Sequence, residues 1–185
     1  DFAAPWPRVE YLDLLKKEAN IDYRASSREG LAAKAKELGV EIDKNAGKAE
    51  IADEIYKKFC RPKIISPTFL IHYPKESKPL AKTVDPDGPV AANFQLIVNG
   101  FEIVNAFSEQ NDPLEQAARL KEQEELFKQG FDQAQRTDTD FIEALEHGMP
   151  PAAGLGMGID RLAALLTDSN ALREIILFPL MKPKP

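Results

Sequence analysis

The sequence has a single cysteine, Cys60, in 185 residues. An intrachain disulfide and a cysteine-based zinc cluster are both excluded. Such sparing use of cysteine fits an intracellular, cytoplasmic protein. Histidine is nearly as scarce, with only His72 and His147. Neither has an Asp or Cys partner nearby in sequence, so both read as packing or capping residues rather than catalysts. Long apolar runs are missing, and nothing approaches the ~20 residues of a membrane helix; no membrane partner is expected. The start, Asp1-Phe2-Ala3-Ala4-Pro5-Trp6-Pro7, has no initiating Met, no basic stretch and no apolar core. It is not a signal peptide and reads as a cut edge. Positive charge is also short: 24 Lys and Arg face 30 Asp and Glu, for a net charge of −6. Phosphate neutralisation needs clustered basic residues, so a stand-alone nucleic-acid module is disfavoured. An enzyme that holds RNA through another domain is not.

What remains is an ordinary globular composition, 43% hydrophobic and 29% charged, with no internal repeat. Residues 1–63 read as a helical connector or insertion, and residues 64–185 as a second part. The first helix is placed from Pro7 to about Ala19, with Val9, Leu12 and Leu15 on one face. Ser26 and Glu29 have capping-box spacing before a helix that Gly39 stops. A third helix is expected from about Lys48 to Phe59. After Pro62 the composition turns β-rich over residues 64–72. Residues 94–98 and 101–109 then form a hairpin through Asn99-Gly100, the preferred type I′ pair. Two charge-rich helices follow, about 113–129 and 139–147, the first read as a solvated surface. A glycine-rich strand, a helix from Asp160 to about Thr167 and a short strand Ile175–Phe178 close the chain. Helices and an antiparallel pair, segregated along the sequence, imply the α+β class.

The hairpin carries the chemistry. A two-residue turn pairs Val98 with Phe101, Ile97 with Glu102 and Gln95 with Val104 in an unbroken ladder. Gln95 and Glu102 then share a face and can converge on a hard cation or on phosphates. Asn105, Phe107 and Glu109 fall on the opposite parity. If Glu102 and Asn105 serve one site, a bulge must lie between them. Polar residues of an exposed hairpin face are the bland alternative. Against it, Glu102, Asn105 and Glu109 interrupt an apolar run, where ionised carboxylates need a partner.

The run Phe101-Glu102-Ile103-Val104-Asn105-Ala106-Phe107-Ser108-Glu109-Gln110-Asn111-Asp112-Pro113 resembles class II lysyl-tRNA synthetases. So do Pro67-Thr68-Phe69, the run Ser77-Lys78-Pro79-Leu80-Ala81-Lys82, and Ala144-Leu145-Glu146-His147-Gly148-Met149-Pro150-Pro151. The resemblance implies that Glu102 contacts ATP and its Mg²⁺. It implies that Asn105, Phe107 and Glu109 line a lysine pocket, with the acid facing the ammonium. Where that family usually has a second Mg²⁺-binding Glu, this chain has Gln95, whose amide oxygen brings no charge.

Gly154-Leu155-Gly156-Met157-Gly158-Ile159-Asp160-Arg161-Leu162 is the second strong feature. Three alternating glycines bare one strand face to a flat ligand. Asp160 is a candidate helix cap, with Leu162, Leu165 and Leu166 packing inward. Arg161 in the first helical turn sits at the wrong end of the dipole for a cation, at a cost of ~0.3–1 kcal/mol that an anionic partner would offset. A glycine strand needed only for tight packing is the alternative. A dinucleotide fingerprint does not fit, because the pattern is G-x-G-x-G with no βαβ unit around it. The segment resembles motif 3 of class II aminoacyl-tRNA synthetases. That implies Arg161 on the ATP γ-phosphate, Gly154 and Gly158 beside ATP, and Gly156 beside lysine.

The resemblance spans about residues 1–182 and implies a partial class II catalytic domain, an antiparallel sheet flanked by helices with an N-terminal helical segment. Runs resembling motif 1, motif 2 and the anticodon-binding OB-fold are not among these residues. The reaction implied is lysine plus ATP to lysyl-adenylate, then transfer to tRNA(Lys), in a parent that is a homodimer. A paralogue that lysylates a protein and a non-catalytic interaction domain are the alternatives.

Overall fold

Asn99 and Gly100 both take positive φ, 48° and 73°, as a type I′ turn demands. They join β3 (Asn93–Val98) to β4 (Phe101–Ser108). This hairpin is the centre of the sheet. The computed structural model describes residues 2–86, 88–131, 134–169 and 171–179. Among them the strand order is β1-β2-β3-β4-β5, with β1 at Arg8–Glu10, β2 at Thr68–Ile71 and β5 at Ala153–Met157. The β1–β2 pair is parallel and the other three are antiparallel. The α+β architecture expected from the sequence is present, flanked by helices.

The alternation of the strands sorts residues onto two faces. Leu70 and Ile97 point to a helical layer made of α1 (Tyr11–Ala19), α2 (Arg28–Glu37) and α3 (Lys48–Ile55). Leu15, Ile51, Ile55 and Ile97 are fully buried there, each contributing about 1.5–3 kcal/mol. The helical part and the sheet therefore share one core. On the other face Phe94, Leu96, Val98, Ile103 and Val104 pack with Leu162 and Leu165 of α6 (Ile159–Leu166).

Several sequence expectations need correction. Residues 8–10 form a strand, so the first helix begins at Tyr11 and not at Pro7. Sheet pairing with Phe69 and Ile71 takes these residues from the helix. The cap of α2 is Ser27, whose Oγ accepts from Gly30 N, not Ser26. The third helix changes to a π-turn over Tyr56–Cys60 and a 3₁₀ turn over Arg61–Lys63, with Pro62 ending regular bonding. The helix after the hairpin, α4 (Pro113–Lys128), is no simple solvated surface: Gln116, Arg119, Leu120 and Gln123 are buried. Arg119 donates to the Ala81 carbonyl and to Glu115 Oε1. Asp138 caps α5 (Thr139–Glu146) by accepting from Phe141 N. Leu166 is exposed rather than inward. Residues 175–178 form no strand, and a 3₁₀ turn at Leu172–Glu174 precedes them.

Candidate functional site

The hairpin ladder slips once. Val98 pairs with Phe101 and Ile97 with Glu102, as the turn predicts. Beyond that, Leu96 pairs with Val104 and Gln95 with Asn105, with an irregularity between Leu96 and Ile97. The unbroken register, which pairs Gln95 with Val104, is therefore wrong by one residue. Ile103 is the extra residue of a β-bulge and is buried against the α6 side. Its insertion reverses the parity of everything after it. Glu102, Asn105 and Phe107 thus share the face that also carries Gln95 and Ile97. The bulge that the joint use of Glu102 and Asn105 required is present.

Strand β5 supplies the floor. Asn105 pairs with Gly156 and Phe107 with Gly154, so both glycines lie on this face. At Gly154 the missing side chain is filled by Glu109. A Cβ built on Gly154 would overlap Glu109 Oε1 and stand 3.4 Å from Glu109 Cδ. At Gly156 a Cβ would meet nothing nearer than the Asn105 carbonyl, 3.9 Å away. The Glu109 backbone is fixed by donation to the Ala152 carbonyl at 3.0 Å and by a bridge to Ala81. Its carboxylate, like that of Glu102, has no hydrogen bond or ion pair among the described residues. Asn105 Oδ1 is buried and also without a partner. A buried amide oxygen in this state costs about 1–3 kcal/mol unless a donor arrives.

Arg161 reaches the same strand from the helix end. Its Nη1 donates to the Glu102 carbonyl at 2.7 Å, and its Cδ would stand 3.3 Å from a Cβ on Gly158. Gly158 caps α6 through its backbone, while Asp160 sits inside the first turn and makes no side-chain cap, contrary to the sequence expectation. Arg161 is exposed, so its remaining N–H groups face outward.

Sequence reasoning missed the surroundings of Gln95. Tyr56 and Tyr73 both donate to Gln95 Oε1, the former at 3.3 Å. Tyr11 meets the Tyr56 ring edge-on, with centroids 5.3 Å apart, and the Tyr73 ring at a tilt, with centroids 4.2 Å apart. Burial holds all three phenols above their usual range, so they remain donors. No spacing rule points to this set, since its members lie in three separate elements. Lys78 joins this cluster, its Nζ lying 4.7 Å from the Tyr73 ring centroid. His72 does have an acidic partner, Glu10, 2.9 Å from its Nδ1 and supplied by the parallel strand. His147 follows α5 and its Nδ1 meets the Glu143 carbonyl, in keeping with a capping role.

Among the described residues no group of three His, Cys, Asp or Glu is arranged for a metal ion. Of the two residues expected at magnesium, Glu102 offers a free carboxylate, whereas Gln95 Oε1 is already taken by two phenols. A hollow of about 730 Å³ opens mainly on the opposite, apolar face, where Phe69, Phe94, Ala106 and Leu155 line it. Phe107 and Gly154 also line it, so it reaches the edge of the candidate site, while Glu102, Asn105, Glu109 and Arg161 are not among its lining residues. No helix among the described residues is long and apolar enough to cross a membrane.

The family model for class II tRNA synthetases (D, K and N) matches residues 1–182. The lysine–tRNA ligase of Pelotomaculum thermopropionicum is 46% identical over all of this chain and 37% of its own length. Those of Porphyromonas gingivalis and Azobacteroides pseudotrichonymphae are 42% and 41% identical over all of this chain, covering 32% and 37% of their lengths. The chain spans about a third of the length of these curated relatives. On this match and on the sheet, bulge and glycine strand described above, the chain belongs to the class II tRNA synthetase family of the D, K and N type.

Proposed function

We propose that this chain is the C-terminal part of a lysine–tRNA ligase catalytic domain, and that its open sheet face binds free lysine beside ATP. One observation carries the reading. The Glu109 carboxylate lies over Gly154, and the orphaned Asn105 Oδ1 lies on the same face. An ammonium has three donors and one charge, and it wants a carboxylate and an amide oxygen. Phe107 and Gly156 complete the walls for the aliphatic stem.

Arg161 serves the nucleotide. One nitrogen is anchored on the Glu102 carbonyl, and the others are free for phosphate oxygens. The resemblance puts Gly154 and Gly158 beside ATP, and their missing side chains make room for Glu109 and Arg161 there. Glu102 has the free carboxylate a magnesium ion requires, and Gln95 does not. When bound, Mg²⁺ supplies charge neutralisation on the phosphates. In the parent reaction the lysine carboxylate attacks the α-phosphorus, pyrophosphate leaves, and a tRNA(Lys) hydroxyl then displaces AMP. This needs positioning and charge neutralisation, without a covalent enzyme intermediate. The parent is read as a cytoplasmic homodimer, and the 185 residues alone as a poor catalyst.

Calorimetry on this chain with lysine and with ATP tests the reading. Lysine binding is expected, weakened about ten- to 150-fold in Glu109→Gln. If neither ligand binds, the chain is better described as an interaction domain. A full rate of lysine-dependent ATP–pyrophosphate exchange by these residues alone contradicts their expected incompetence.

A further inference from the structure

We propose that Lys78, supported by Arg61, makes the corner of the site beside Gln95 an anion subsite for the terminal phosphates of the nucleotide. The inference rests on the lysine and ATP reading above and adds residues to it. Gln95 is the starting point. Its Oε1 accepts from Tyr56 and Tyr73, and no described residue accepts from its amide nitrogen. The group therefore presents N–H donors and no free acceptor.

Two cations lie beside the phenols that hold it, Lys78 against Tyr73 and Arg61 near Tyr56, and neither has a carboxylate partner among the described residues. Lys78 is half-buried, and its ammonium rests over the Tyr73 ring at 4.7 Å, with no carboxylate within 4.0 Å among the described residues. The nearby Asp53 is already engaged by Lys57 at 2.6 Å. Glu102 lies close enough to act on the Lys78 charge yet makes no ion pair with it. A ligand can bridge that gap. Arg61 acts on the buried Tyr56 phenol, and its Nε is buried with no hydrogen-bond partner. Burial also lowers the Lys78 pKa, because a desolvated ammonium is disfavoured until an anion joins it. The chain as a whole carries −6, so general attraction of anions is unfavourable and any affinity must come from local donors. The Gln95 amide nitrogen, Lys78 and Arg61 Nε are donors without described acceptors, which suits a phosphate better than a cation.

The test uses inorganic triphosphate and free lysine as separate probes, in calorimetry without divalent cations. Lys78→Met keeps an unbranched stem on the Tyr73 ring and removes the charge. It is expected to weaken triphosphate binding about tenfold and to leave lysine binding unchanged. Lys78→Arg should retain most of the affinity. In the wild-type chain, the Lys78 side-chain NMR signals should move on addition of triphosphate, which covers the case where a variant fails to fold. Equal triphosphate affinity in wild type and Lys78→Met overturns the proposal, as does no triphosphate binding or no movement of the Lys78 signals. Triphosphate binding that depends on Lys78, with no lysine binding at all, upholds this subsite and sinks the lysine reading instead.

Discussion

Adding one methyl group at Gly154 should disable the proposed lysine pocket without harming the fold. A Cβ there overlaps Glu109 Oε1 and stands 3.4 Å from Cδ. The obstructed atom is the end of a flexible side chain, so the carboxylate can swing away cheaply. The strand itself gains, because alanine loses less backbone entropy than glycine, by about 0.5–1 kcal/mol. Stability should therefore hold or rise slightly. Function has no such escape, because the displaced carboxylate no longer faces the ammonium. A charge-assisted hydrogen bond is worth about 1.5–3 kcal/mol, which is roughly ten- to 150-fold in Kd. Calorimetric titration of lysine into Gly154→Ala measures the loss, and thermal melting checks the fold. Gly156→Ala is the steric comparison, since its Cβ meets nothing nearer than 3.9 Å and leaves Glu109 alone. The decisive arm is a double-mutant cycle with Glu109→Gln. In that background Gly154→Ala should cost little more. An unchanged lysine affinity in Gly154→Ala, or an equal loss with and without the Glu109 carboxylate, refutes the reasoning.

Three further outcomes follow from the same geometry. Asn105→Leu removes a buried, unpartnered Oδ1, so urea unfolding should show a gain of about 1 kcal/mol while lysine binding is lost. Tyr56→Phe and Tyr73→Phe should each cost about 0.5–1.5 kcal/mol; the double variant should cost more than their sum, because Gln95 Oε1 then has no donor. Burial holds the Glu50 carboxyl above its usual range, so its charge is a burden on the folded state. That burden is absent below the unfolded-state carboxylate range and complete above the raised folded value. Glu50→Gln should accordingly raise the melting temperature at about pH 8 and barely change it at about pH 3.

The hairpin was legible because its signals are local. Asn99-Gly100 admits one turn type, and that turn sets the first two pairs of the ladder. The stop of α2 at Gly39, which takes positive φ, is equally short-range. The strand at Arg8–Glu10 was not legible, because its reason is pairing with residues sixty positions away. The same distance hides the Glu10–His72 pair. The Tyr56–Tyr73–Gln95 cluster is invisible for a further reason. Each residue suits a bland role in its own element, and only the packing of the helical layer on the sheet brings them together. Sequence reading picked out the residues proposed to face lysine and missed the tyrosines that hold Gln95.

Ile103 shows how the two levels meet. In a regular strand Glu102 and Asn105, three positions apart, face opposite ways. One inserted residue reverses that parity, and its own side chain is buried among Val98 and Val104, so burial of an apolar group stabilises the slip. The consequence is a face divided by polarity. Toward β5 lie acceptors without donors: Asn105 Oδ1 and the Glu109 carboxylate. Toward β2 lie donors without acceptors: the Gln95 amide nitrogen and Lys78. Glu102 and Arg161 are linked through the Glu102 backbone carbonyl. A ligand pair with an ammonium at one end and a polyphosphate at the other matches that division, and a single anion or a single cation matches only half of it.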